Sequence, residues 1–136
     1  MVLHDGRFVH GFPPDLVTTY SFELSPDEKR QVLKEMPEAV CFFGHTHELG
    51  IIDYDGHSLT ESSLNKKKIP LLPDHRYAIN VGSIGQPRDG NNHAKYVVWD
   101  KVSATLEVKY VSYDIKAAAE KIIAAGLPEI HARKLW

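Results

Sequence analysis

Five consecutive apolar residues, at positions 39–43, stand directly before the sequence Gly44-His45-Thr46-His47. A run of this length is typical of a β-strand that is buried on both faces. Such a strand requires other layers of structure on both sides of its sheet. The run therefore predicts a sheet that lies inside a layered domain.

Strand and turn signals dominate the rest of the chain. Two Asp-Gly pairs separate short apolar runs, and they predict tight hairpin turns because Gly accepts a positive φ. A third hairpin follows from the alternation of apolar and polar residues in the C-terminal half. The predicted hairpins pair residues 2–4 with 7–10, 50–55 with 57–61 and 95–100 with 105–113.

Helix signals complete the pattern. Ser25 and Glu28 form a capping box around a proline and predict the start of a helix. Tyr20 and Phe22 are expected to pack beneath this helix. Two further helices are predicted near the C-terminal end. We therefore predict one mixed α/β (α+β) domain over residues 1–136, with a mixed sheet, hairpins and flanking helices.

Composition excludes several classes of function. The length of 136 residues suits one domain with a real core. Sixteen basic residues against eighteen acidic ones argue against a nucleic-acid coat or a membrane-surface role. The single cysteine, Cys41, predicts a reducing, cytoplasmic compartment. No apolar run approaches the roughly 18 residues of a membrane span, and residues 1–12 lack the apolar core of a signal peptide. The Lys66-Lys67-Lys68 run is either a solvated loop or an attractor of phosphorylated substrates.

Three of the eight histidines follow predicted strands. His45 and His47 come after the buried run, and His10 ends another strand just before Gly11. Open α/β sheets bind ligands at the carboxyl ends of their strands, and Gly44 would allow close approach to the backbone. If the two strands are neighbours, three imidazoles converge on a site suited to Zn, Mn, Fe, Co or Ni. The alternative is that they are ordinary loop or core histidines.

Five segments follow one another along the chain: FVHGFP, VCFFGHTH, YAINVGSIGQPRDG, YVVWD and VSYDIKAAAEKIIAAGLPE. Together they resemble the C-terminal half of bacterial calcineurin-like metallophosphoesterases. The resemblance implies an α/β sandwich of two sheets flanked by helices. It also implies a site with two divalent metal ions that hydrolyses phosphomonoesters or phosphodiesters with a metal-activated water.

The same resemblance assigns residues to this site. It implies that His10 and His45 bind one metal ion and His47 the other. The loop from Gly82 to residue 90 would cover the site, and Arg88 within it would bind the phosphate of the substrate. The alternative for Arg88 is a salt bridge with Asp89 or another acid. Asn80 is expected to secure the turn rather than to contact substrate.

The motifs of the family's N-terminal half, Asp-x-His, Gly-Asp-x-x-Asp and Gly-Asn-His-Asp/Glu, do not occur in this sequence. Without them the bridging carboxylate between two metal ions is missing, and carboxylates near the site in sequence, such as Glu48, Asp15 and Asp89, are possible substitutes that no motif supports. We therefore expect a phosphoesterase that is weak or inactive alone, as a truncated or split form would be. We also expect association with a missing N-terminal half or with further copies of the chain. The alternatives are a non-catalytic metal-binding or interaction module, and a structural oligomer without metal.

Overall fold

The computed structural model describes residues 1–13, 17–65 and 68–136. Asp15, Lys66 and Lys67 lie outside the described residues. Within them the chain forms nine strands, three α-helices and a short 3-10 helix at Ser21–Glu23. The strands are β1 (Val2–Leu3), β2 (Gly6–Phe8), β3 (Val40–Phe43), β4 (Leu49–Tyr54), β5 (Leu59–Ser63), β6 (Lys68–Pro70), β7 (Arg76–Val81), β8 (Ala94–Asp100) and β9 (Thr105–Val111), and the helices are α1 (Pro26–Glu35), α2 (Ile115–Ala124) and α3 (Glu129–Arg133).

The strands form two sheets. The larger is mixed and has the order β1-β2-β3-β7-β4-β5, in which β2, β3 and β7 run parallel and the other pairs antiparallel. The smaller sheet has the order β6-β9-β8 and is antiparallel. The predicted mixed α/β architecture with hairpins is confirmed.

Strand β3 lies between two apolar clusters. Val40 and Phe42 belong to the cluster that includes buried side chains of β9 in the second sheet. Cys41 and Phe43 belong to the cluster that includes Leu33 of α1. All four strand residues are buried. The prediction of a strand covered on both faces is therefore confirmed, with the second sheet on one side and α1 on the other.

Burial changes the acidity of the thiol in this strand. It raises the pKa of Cys41 to about 12 from the ordinary value of 9.0, because the apolar interior disfavours the thiolate. The folded protein keeps the thiol proton at a pH where the unfolded chain loses it. The free energy of unfolding should therefore fall as the pH rises above about 9. Urea unfolding at pH 8 and pH 10 measures this loss, and Cys41→Ala should show a smaller one. An equal loss in both proteins would contradict the prediction.

The first hairpin forms, but its turn is displaced by one residue from the predicted Asp5-Gly6 position. His4 and Asp5 have positive φ values of 52° and 63°, whereas Gly6 pairs with Leu3 inside strand β2. A Cβ atom on Gly6 would lie 2.8 Å from Cζ3 of Trp99. Gly6 is thus required by the close approach of Trp99 from the second sheet, and not by the turn.

Helix α1 begins as predicted, but the segment before it packs differently. The Ser25 hydroxyl accepts a hydrogen bond from the Glu28 N–H, and the Glu28 side chain accepts one from the Ser25 N–H. The expected packing of Tyr20 and Phe22 beneath α1 is wrong. Tyr20 stacks on His45, and the Phe22 side chain is exposed. Among the described residues the longest helices have ten residues, and none is long and apolar enough to cross a membrane.

Candidate metal centre

The candidate site lies where two parallel strands end side by side. In the register of β2 and β3, Phe8 is opposite Phe42. Backbone hydrogen bonds continue past the strand ends, since the Gly44 N–H donates to the His10 carbonyl at 3.0 Å. The parallel pairing therefore places His10 and the Gly44–His47 turn at the same edge of the sheet.

The structure brings His10 and His45 into direct contact. Nε2 of His10 lies 3.0 Å from Nδ1 of His45, and the two rings meet edge to face. A third ring, that of Tyr20, stacks on His45 with a centroid distance of 4.0 Å and an interplanar angle of 24°. Tyr20 was missed as a site residue because it is distant in sequence and carries no motif of its own.

His47 lies near this pair without joining it. Its Nδ1 atom is 2.8 Å from the Gln86 carbonyl oxygen. A carbonyl only accepts, so Nδ1 carries the proton and the Nε2 lone pair is left available. Such a contact is typical of a histidine that binds metal through its other nitrogen. Across residues 1–13, 17–65 and 68–136, however, no three His, Cys, Asp or Glu side chains are grouped so that they could hold a metal ion.

The turn that carries the two histidines has unusual backbone geometry. His45 and His47 have φ values of 67° and 65°, in the left-handed region that non-glycine residues seldom adopt. Asn80 of β7 holds the turn in place. Its Nδ2 donates to the Gly44 carbonyl at 3.1 Å and to Thr46 Oγ1 at 2.6 Å, and its Oδ1 accepts from the Gly82 N–H at 3.1 Å. Asn80 thus secures the turn, as predicted.

The loop from Gly82 to residue 90 runs beside His47 and is bonded to it at two points. Besides the Gln86 carbonyl contact, the Arg88 N–H donates to the His47 carbonyl at 3.1 Å. The Arg88 guanidinium is exposed and donates to Gln86 Oε1 at 3.3 Å. The alternative salt bridge with Asp89 does not form, because Asp89 pairs with Lys95. In the part of the chain that is described, Arg88 has no carboxylate partner.

Lys95 anchors this loop and was missed as a site residue. The residue is only 1% exposed. Its Nζ donates to Asp89 Oδ1 at 2.7 Å and to the Asn91 carbonyl, and its backbone N–H donates to the Ser83 carbonyl at 3.1 Å. The sequence did contain a signal, since the alternation of β8 puts Lys95 in phase with the inward Val97 and Trp99.

A cavity of about 820 Å³ opens between the strand ends and the second sheet. His10, His45 and His47 all line it, together with Gly44, Gly82 and apolar side chains of β8 such as Val97 and Trp99. Gly11 is buried directly after His10. The cavity is therefore lined mostly by apolar side chains, with His4 as a fourth histidine besides the three that the sequence predicts as ligands.

The substitute carboxylates do not complete the site. Asp89 is occupied by Lys95, and Asp15 lies outside the described residues. Glu48 is exposed and lines a different, smaller cavity. The donors that the described residues offer at this edge of the sheet are therefore imidazole nitrogens, those of the His10–His45 pair and of His47, and not carboxylates.

The two sheets, the helices and the histidine-containing turn at the strand ends match a partial calcineurin-like fold. The chain is similar to the crystal structure of a metallophosphoesterase from Sphaerobacter thermophilus, with a TM-score of 0.85 and 28% sequence identity. This likeness covers 99% of the chain and 55% of that structure's chain.

The chain is also similar in sequence to a curated protein. The chain is 42% identical over 97 residues to the uncharacterized protein MJ0912 of Methanocaldococcus jannaschii. The alignment covers 71% of the chain and 38% of that protein. No protein-family model matches the chain. The chain thus spans well under two thirds of the length of the relatives it matches.

Proposed function

We propose that the chain carries part of the active site of a metal-dependent phosphoesterase, with His10, His45 and His47 as ligands of divalent metal ions. The observation that supports this most directly is the 3.0 Å approach of His10 Nε2 and His45 Nδ1. It occurs at the carboxyl ends of neighbouring parallel strands, in a fold that is similar to a metallophosphoesterase.

The chemistry of the donors agrees with this assignment. Neutral imidazoles bind Mn, Fe, Zn, Co and Ni, and they do not cancel the charge of the ion. A bound divalent ion acts as a Lewis acid on phosphoryl oxygens and lowers the pKa of a water molecule. The Gln86 carbonyl keeps the His47 proton on Nδ1. Arg88, whose N–H donates to the His47 carbonyl, has an exposed guanidinium that suits the oxygens of a phosphate ester.

We propose that the remaining ligands come from polypeptide outside these 136 residues or from a second copy of the chain. A two-metal site requires carboxylates as well as imidazoles, and the described residues group no third ligand with the histidine pair. Open apolar surface supports this, since β8 is an edge strand and its Tyr96 and Val98 are exposed. The isolated chain is therefore weak or inactive as a catalyst. The single cysteine supports a cytoplasmic location.

Metal titration of the isolated chain tests the assignment. Calorimetry with Mn²⁺ or Zn²⁺ should show that the chain binds the ion. His45→Ala should lower the metal affinity by at least about tenfold, because loss of a group that only hydrogen-bonds to a metal ligand already lowers it by about that much. His131→Ala is the matched control, since His131 is exposed on α3. Light scattering on the same samples should give a molar mass above 15.3 kDa.

Activity separates the two candidate functions. Slow hydrolysis of p-nitrophenyl phosphate or its bis ester, lost in the double variant His45→Ala and His47→Ala, supports the phosphoesterase. Metal binding without any hydrolysis favours a non-catalytic metal-binding module. Equal metal affinity in wild type and His45→Ala would contradict the ligand assignment.

A further inference from the structure

A second cavity adjoins the Gly44–His47 turn. Its volume is about 380 Å³, which lies within the range of about 300–1,000 Å³ typical of small-molecule sites. Thr46 lines this cavity, whereas His45 and His47 line the larger one. The turn therefore borders both cavities, one with its imidazoles and the other with Thr46.

A column of stacked rings leads from the imidazole site to the rim of this second cavity. The Tyr20 ring stacks on His45, and the Phe22 ring stacks on Tyr20 with a centroid distance of 4.9 Å and an interplanar angle of 19°. Phe22 is 71% exposed and lines the cavity. One face of the Phe22 ring packs against Tyr20, and the other face is a flat apolar surface that a planar ligand ring can cover.

The charges of the cavity favour an uncharged ligand group with hydroxyls. Lys29 is buried, and its Nζ donates to both carboxylate oxygens of Glu61 at 2.7 and 2.8 Å, so these two charges neutralise each other. The Glu48 carboxylate has no ion-pair partner among the residues described. An unpaired carboxylate repels phosphate but accepts hydrogen bonds from neighbouring hydroxyls, as acidic residues do with ribose.

We propose that the second cavity is a nucleoside subsite. The base stacks on Phe22, and the ribose hydroxyls donate hydrogen bonds to Glu48. The phosphate of the same ligand lies on the other side of the turn, at the imidazoles, and only this position rests on the proposed phosphoesterase function. The substrate class is therefore a nucleotide or a nucleoside phosphodiester.

Adenosine tests the subsite without involving the metal or the phosphate. Titration of the full chain with adenosine, followed by NMR shifts, should give saturable binding. Phe22→Ala should weaken this binding by about 5- to 100-fold, because the stacking of one base on an aromatic side chain contributes about that much to affinity. Trp136→Ala is the matched control, because Trp136 is similarly exposed, at 69%, and lies at the other end of the chain. It should leave the affinity unchanged.

Glu48→Gln tests the ribose contact. This variant should bind adenosine more weakly than wild type does, and it should bind 2′,3′-dideoxyadenosine as wild type does. Failure of wild type to bind adenosine at millimolar concentrations would overturn the proposal, as would equal loss of affinity in Phe22→Ala and Trp136→Ala. Adenosine binding that persists when metal titration fails would refute the metal assignment and leave the nucleoside subsite standing.

Discussion

Replacement of Lys95 by methionine is expected to lower the free energy of unfolding by about 2–4 kcal/mol and to loosen the loop beside His47. Removing one partner of a buried ion pair costs about 3–5 kcal/mol, and here the value is reduced because the Asp89 side chain remains 20% exposed. Methionine keeps the buried length of the side chain but donates nothing to Asp89 or to the Asn91 carbonyl. Urea unfolding measures the stability, and hydrogen exchange of the amides at 83–93 measures the loop.

The matched control for this variant is Lys101→Met. Lys101 pairs with Asp5 at the surface, where both side chains are exposed, so its loss should not change stability measurably. The His47 imidazole gives a more specific readout. If Lys95 holds the Gln86 carbonyl against His47, the ring nitrogen shifts of His47 should report a mixture of tautomers in Lys95→Met. Wild-type exchange rates and a single tautomer in this variant would refute the anchoring role.

The second large effect is expected for Gly82→Ala. Gly82 has a φ of +74°, and a Cβ atom there would lie 3.0 Å from Cγ of Leu49. The left-handed backbone costs a non-glycine residue about 1–2 kcal/mol, and overpacking adds about 1–3 kcal/mol. The free energy of unfolding should therefore fall by about 2–5 kcal/mol.

Gly85 offers the comparison within the same loop. A Cβ atom on Gly85 meets nothing within 4 Å, and its φ does not lie in the left-handed region. Gly85→Ala should change the stability by no more than about 0.5 kcal/mol. Thermal and urea unfolding measure the stability of the two variants. Similar losses of stability in both would contradict the explanation from the backbone conformation of Gly82 and its contact with Leu49.

The sequence predicted correctly the elements that depend only on residues close to one another along the chain. The capping box at Ser25 and Glu28 needs only neighbours in sequence, and four residues of the run 39–43 form the buried strand β3, whereas Ala39 is exposed. The role of Gly6 could not be derived in this way, because the atom that excludes a side chain there belongs to Trp99, far along the chain.

In the candidate site, too, the sequence predicted local features but not the contacts between distant segments. The motif placed His10 and His45 at strand ends, but only the parallel pairing of β2 with β3 brings the two rings to 3.0 Å. Lys95 was missed because a lysine in a half-exposed strand pattern is ordinarily solvated, whereas here the loop at 89–91 folds back over its ammonium group. The stack of Tyr20 on His45 likewise depends on a contact between distant segments.

The parallel register of β2 and β3 limits which insertions and deletions the protein can tolerate. His10 follows the paired residue Phe8 by two positions, and His45 follows Phe42 by three. A residue gained or lost within either short interval would move one imidazole by about 3 Å and turn it to the opposite face. The helix α1 between the two strands can gain or lose length without altering this spacing. Homologous chains are therefore expected to differ in length between the two histidines while keeping both intervals fixed.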